Sequence, residues 1–311
     1  MKRFLRRVWD ESFGGKGDLQ KDEMWFLQGD GSRLAASTLD ASTKASLEDL
    51  RTNGVAILKG NVPAELCDEV VRDFRKFCAD TPESSDYKDE HSLYERLVCL
   101  HLVSEAARRV AFHPAVVRIV EAAFGKPLVV VGSLYFDKGS TQSVHRDTPA
   151  FFTNPLNHYF GVWTAFEDVV PGSGALSYYR NGHKVARDAD LVGNPAVNDK
   201  TYFETIIREC RSNNLELVEY YPKKGDTLIW HPELPHGGAP ILYPGLSRRS
   251  MVFHYIPEGV PIFGPDRFFG PPGKFESRAS YKTLSFGRYK VIDQVRPRFF
   301  HNRYEGNFDE K

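Results

Sequence analysis

Cysteine is scarce in this 311-residue chain, and the four that occur have no C-x-x-C spacing, which excludes a disulfide framework and argues against a zinc knuckle. Cys67, Cys78, Cys99 and Cys210 are expected as buried free thiols. An excess of charge of either sign is also missing, since 41 basic residues face 41 acidic ones. Bulk electrostatics therefore gives no reason to expect a nucleic-acid or membrane partner. Nor is there an apolar run of signal-peptide or membrane-spanning length. The basic, aromatic opening Met1-Lys2-Arg3-Phe4-Leu5-Arg6-Arg7-Val8 meets Asp10 and Glu11 too soon for a transit peptide, so the expected location is cytoplasmic.

What the chain does have is length enough for a sizeable core, and one elaborated domain over residues 1–311 is the default. Residues 1–126 read as a mostly helical flank. Helices are expected at 42–52, closed by Asn53-Gly54, from Pro63 onward with Leu66, Val70, Phe74 and Phe77 on one face, and at 104–112 and 114–124. A first strand covers Val55-Ala56-Ile57-Leu58. His91, His101 and His113 lie in or beside these helices and are read as surface or capping residues rather than ligands.

Past Lys126 the texture changes to short β-branched and aromatic runs between turn residues. The expected strands are 128–136, 144–148, 159–166, 175–179, 216–221, 227–230 and 249–255. Strands at this frequency form a sandwich or barrel, with the preceding helices over one outer face. The core is placed at 127–260, with an insertion at about 184–210 that carries a helix at 202–208. The extension 261–311 interleaves aromatic and basic residues. It is expected to pack back over the barrel or to meet another subunit of a homo-oligomer, in preference to binding nucleic acid.

The chemistry is concentrated in Gln142-Ser143-Val144-His145-Arg146-Asp147-Thr148. Side chains alternate along a strand, so His145 and Asp147 share a face and can hold one metal between an imidazole and a carboxylate. A third ligand is available in Trp230-His231-Pro232-Glu233-Leu234-Pro235-His236-Gly237-Gly238, where His231 and His236 are alternatives. Two histidines and one carboxylate make the open-faced triad of non-haem Fe(II) oxygenases.

With these pieces go Trp163-Thr164-Ala165, Gly172-Ser173-Gly174-Ala175-Leu176, Lys224-Gly225-Asp226-Thr227-Leu228-Ile229-Trp230 and Arg248-Arg249-Ser250-Met251-Val252-Phe253-His254-Tyr255. Together they resemble the phytanoyl-CoA dioxygenase family of iron(II)- and 2-oxoglutarate-dependent oxygenases over about two thirds of the chain. The resemblance implies a mainly β fold: a double-stranded β-helix, the jelly-roll or cupin-like core, flanked by N-terminal α-helices. It implies Fe(II), 2-oxoglutarate and O2 as cofactor and cosubstrates, with His145, Asp147 and His236 as the metal ligands. Arg248, ahead of its competitor Arg249, corresponds to the clamp on the remote carboxylate of 2-oxoglutarate, and Trp163 lines that cosubstrate. Gln142 is grouped with them.

The implied reaction releases succinate and CO2 while a C–H bond of a small metabolite is hydroxylated. Because Asp147 is present, halogenation is not expected; desaturation, ring formation and epimerisation use the same ligands. Two departures stand out. Where the family often has Ser or Thr two residues after the distal histidine, this chain has Gly238, so the hydroxyl of Tyr135 or Ser133 is a candidate substitute. Where it has Pro-Gly-Ser-His, this chain has Arg180-Asn181-Gly182-His183. Thr148, Phe151, His158 and Arg180 are assigned to the substrate pocket, and the substrate is anionic if Arg180 faces inward. The competing reading is a metal-binding barrel without oxygenase activity, either a zinc hydrolase or a non-catalytic ligand-binding module, for which Arg248 has no use.

Overall fold

The computed structural model describes residues 16–271, 273–293 and 296–300, so the opening segment 1–8 read above lies outside the described residues. Among the described residues four longer helices build the flank: α1 (Ala41–Asn53), α2 (Ala64–Asp80), α3 (Glu105–Ala111) and α4 (Pro114–Phe124). Their ends are set by local chemistry. Asp40 accepts from the Thr43 amide at the start of α1, Ser104 does the same for Ala107 in α3, and Gly54 and Gly125 close α1 and α4 with φ of 81° and 63°. α2 buries Leu66, Val70 and Phe74 along one stripe.

The strands that position the site are β1 (Val55–Leu58), β2 (Arg96–Val98), β3 (Leu128–Phe136), β4 (Phe160–Ala165), β5 (Leu176–Tyr179), β6 (Leu217–Tyr220), β7 (Thr227–Trp230), β8 (His236–Gly238) and β9 (Ser250–Pro257). The extension adds β10 (Thr283–Phe286), β11 (Tyr289–Ile292) and β12 (Arg298–Phe300). A large sheet runs β10-β11-β3-β9-β4-β7-β1, with β2 joining β3 and β12 pairing β2, and a small sheet runs β8-β5-β6. Alternation divides the side chains between two cores. Phe160, Val162, Tyr135, Met251 and Phe253 join Leu66, Val70 and Phe74 under the helices. Trp163, Ala165, Phe136, Val252 and Trp230 face Leu176, Tyr178 and Tyr220 of the small sheet. This is a mainly β jelly roll with helices over one outer face.

Three expectations need adjustment. Residues 144–148 do not make a strand; only His145 forms a bridge, to His236, because Arg146 turns back to a loop and the Ala150 and Phe151 amides close a turn on the Asp147 carbonyl. The helix of the insertion, α5 (Asp199–Ser212), is longer than 202–208 because a capping box of Asn198 and Thr201 starts it earlier. The extension contributes strands as well as packing aromatics: β11 lies parallel to β3, and Phe299 stacks on Tyr87 at 5.2 Å and on Tyr94 at 5.9 Å. All four cysteines are free and buried, and burial pushes the Cys67, Cys78 and Cys210 thiols up to about 11, 12 and 11. Among the described residues no helix is long and apolar enough to cross a membrane.

Candidate active site

The backbones of His145 and His236 lie opposite one another, with His145 N–H donating to the His236 carbonyl at 2.8 Å and the reverse bond at 2.9 Å. Directly paired residues project side by side, so the two imidazoles come together with ring centroids 4.6 Å apart. Each ring has its Nδ1 on the carbonyl two residues earlier, Ser143 at 2.8 Å for His145 and Leu234 at 3.0 Å for His236. A carbonyl can only accept, which places the proton on Nδ1 and leaves the Nε2 lone pair for a metal. Asp147 completes the group: Oδ1 is 3.4 Å from His145 Nε2 and Oδ2 is 3.5 Å from His236 Nε2. The three ligand atoms lie within 4.8 Å of one another.

His231, the sequence alternative, is elsewhere. Its ring lies against His183 at 4.8 Å, its Nδ1 accepts from the Glu233 amide, and Glu233 receives Arg187 and the Asp188 amide.

Asp147 is buried, which works against its ionisation. The neighbouring imidazoles, His236 and then His254, outweigh that and hold the carboxyl well below the usual carboxylate range. Burial brings His236 down to about 4, the neutral form a metal requires. Gly237 lets this strand approach the metal loop, since a Cβ there would stand 2.7 Å from the Gln142 carbonyl.

Arg248 sits on the inner face, its guanidinium carbon 5.0 Å from the Phe136 ring centre and 5.7 Å from that of Trp163. Nη1 donates to Ser250 Oγ at 2.9 Å, while Nε has no partner. Burial lowers its pKa to about 10 against the pull of Glu167. Arg249 points to the outer face and is paired with Asp137 and Glu167. The inner wall thus holds a buried guanidinium that no described carboxylate bonds directly, and beside it the Trp163 indole N–H, also without a partner.

Of the other residues singled out in the sequence, Gln142 lies at the metal site, its Nε2 3.0 Å from His145 Nε2. Tyr135 does not face the inner wall. It stacks on Phe74 at 4.0 Å under the helices, one position out of phase with Phe136, and Ser133 shares that outer face, bonded to His101. Gly238 has its own cause: a Cβ there would meet Ser140 Oγ at 2.8 Å.

The pocket assignments fare unevenly. Phe151 stacks on His254 at 3.8 Å, next to the ligands. The Thr148 hydroxyl is engaged by Asp188 at 2.6 Å and Tyr159 at 3.1 Å, so it serves the structure. His158 is turned onto the Leu156 carbonyl, with Lys126 and Asp22 as its charged neighbours, and stands in the packing rather than in the pocket. Arg180 faces solvent and pairs with Glu216 at 3.5 Å, because its amide caps the end of the small sheet on the Glu216 carbonyl. An anionic anchor on Arg180 is thereby withdrawn.

Sequence reasoning missed Trp230 and His254, which donate to Asp147 Oδ2 at 3.2 and 3.0 Å. The inward phase counted from Arg248 would have found His254. Gly161, opposite Trp230 in the register, signals an indole lying across it.

A jelly roll with two histidines and one carboxylate converging on its inner face defines a candidate mononuclear metal centre of the facial type. Residues 50–250 match the model of the phytanoyl-CoA dioxygenase (PhyH) family, and the chain belongs to that family.

Among curated relatives, phytanoyl-CoA dioxygenase domain-containing protein 1 of Danio rerio is 26% identical over 183 residues, covering 58% of this chain and 62% of the relative. Its Bos taurus counterpart is 27% identical over 195 residues, covering 61% and 64%. The chain therefore spans less than two thirds of the length of these relatives. The fold is shared with the epimerase SnoN in complex with Fe3+, alpha ketoglutarate and nogalamycin RO, at a TM-score of 0.60 and 17% identity over 81% of this chain and 98% of that one. The carbocyclase SnoK from nogalamycin biosynthesis gives a TM-score of 0.54 at 17% identity over 77% and 95%.

Proposed function

We propose that this chain is an Fe(II)- and 2-oxoglutarate-dependent dioxygenase that hydroxylates an unactivated C–H bond of a small-molecule metabolite, with release of succinate and CO2. The observation that carries the reading is the buried Arg248 guanidinium, directly bonded by no described carboxylate and on the inner face with the His145, Asp147 and His236 group. A buried cation of that kind is costly unless an anion completes it, and its fork matches a carboxylate with two parallel hydrogen bonds.

The donor set fits iron as well. Two neutral imidazoles and one carboxylate offset part of the metal charge and leave adjacent positions for a 2-oxo acid and dioxygen. Iron bound there supplies the coupling of 2-oxoglutarate decarboxylation to oxidation of a C–H bond. The chain's own part is to hold and to exclude. The Nδ1 bonds to Ser143 and Leu234 fix the imidazole planes, Arg248 orients the cosubstrate by its far carboxylate, and Trp163 keeps water from the inner wall. Asp147 occupies a position that a halide would need, which favours hydroxylation.

The test is a metabolite library incubated with the purified chain, Fe(II), 2-oxoglutarate and air. Succinate formation stimulated by one compound, with a product one oxygen atom heavier, is expected. A product of unchanged or lower mass would replace hydroxylation with epimerisation, ring closure or desaturation, and metal-dependent hydrolysis without succinate would replace the reading altogether.

A further inference from the structure

The two oxygens of Asp147 are not equivalent. Oδ2 accepts two hydrogen bonds, from Trp230 Nε1 at 3.2 Å and from His254 Nε2 at 3.0 Å, whereas Oδ1 lies 3.4 Å from Nε2 of the candidate ligand His145. Both donors are buried and held from behind. The Trp230 indole lies over Gly161 on the neighbouring strand, where a Cβ would stand 2.1 Å from the ring, and its other side meets His236 at 4.4 Å. His254 is covered by Phe151, stacked at 3.8 Å and 15°.

We propose that Trp230 and His254 are positioning residues that occupy Oδ2 and so make Asp147 a one-oxygen ligand, presenting Oδ1 alone to the metal. The consequence is a matter of counting positions around an octahedral ion. Two imidazoles and a carboxylate bound through both oxygens fill four of six positions and leave two. A chelating 2-oxo acid and dioxygen together need three, which only a one-oxygen carboxylate leaves open. An acceptor already engaged by two N–H donors has little lone-pair density left for a metal, and the same bonds hold the carboxylate plane in place. The inference rests on the assignment of Asp147 as a ligand made above.

The test uses Co(II) as the probe, bound to the full chain, with affinity read by chelator competition and the ligand set by the position of the visible ligand-field band. Trp230→Phe keeps the ring and removes the donor; His254→Leu removes the other, and His254→Gln restores an amide donor. Trp230→Phe and His254→Leu are expected to bind Co(II) roughly 10–100-fold more weakly, with the band shifted as the freed Oδ2 takes a position otherwise held by water, while His254→Gln stays close to wild type. Should His254→Leu fail to fold, Trp230→Phe and His254→Gln decide the matter. Wild-type affinity and an unchanged band in Trp230→Phe overturn the proposal. Asp147→Ala separates the two levels: if it binds Co(II) as the wild type does, the ligand assignment itself fails, whatever the clamp variants do.

Discussion

The guanidinium of Arg248 touches two aromatic faces and one hydroxyl. Replacing it with glutamine is expected to raise the KM for 2-oxoglutarate by about 100-fold or more, and Arg248→Lys, which keeps charge but not the fork, by about 10-fold, read in a succinate assay. Alternation required only that Arg248 and Arg249 point to opposite faces, and the family's spacing to His254 chose Arg248 between them. Tyr135 was not legible, for the strand that carries it is apolar on both faces and shows no alternation from which to tell inside from outside.

A second residue-scale prediction concerns Glu233. Burial, with Asp188 nearby, raises its pKa from the ordinary value to about 7 against the pull of Arg146 and Arg187. The folded state then holds a proton that the unfolded state releases above its lower pKa, so this group's contribution falls as pH rises from about 5 to about 7. Melting temperatures across that range should decline more steeply in the wild type than in Glu233→Gln. Parallel curves would contradict the assignment.

At the scale of elements, the metal loop and the insertion are tied by Arg146, the residue between two candidate ligands. Its guanidinium donates to the carbonyls of Gly182, Val185 and Ala186 and to Asp188, and Asp188 also receives Thr148 and Tyr202 of α5. This is why 144–148 bends away from a strand. Alternation still served, since Arg146 points away from the side shared by His145 and Asp147, but no local pattern announced a loop partner some 40 residues away. Arg146→Met leaves Asp188 buried with hydroxyl donors and no bonded cation. A loss of about 3–5 kcal/mol in urea denaturation is expected, together with weaker metal binding. Unchanged metal affinity would detach the insertion from the site.

Over the whole molecule, a sandwich or barrel was readable from the spacing of short strands, the jelly roll itself from the family resemblance, and the helical flank from caps and an apolar stripe. The extension was less readable because its aromatics follow neither a strand nor a helix period; the partners of Phe299, which are Phe74, Tyr87 and Tyr94, come from the distant flank. Phe299→Ala should therefore cost about 3–5 kcal/mol of stability while the affinity for metal stays at the wild-type value, because the ring packs far from the ligands. Loss of both together would show that the extension shapes the site.

The central claim is that His145, Asp147 and His236 hold one iron on the face where Arg248 waits for a dicarboxylic keto acid. Anaerobic titration of the purified chain with Fe(II) and then 2-oxoglutarate tests it most directly. The account predicts a weak visible charge-transfer band that needs both additions and that is absent from Asp147→Ala. Folded protein that binds Fe(II) but develops no band at saturating 2-oxoglutarate would contradict it.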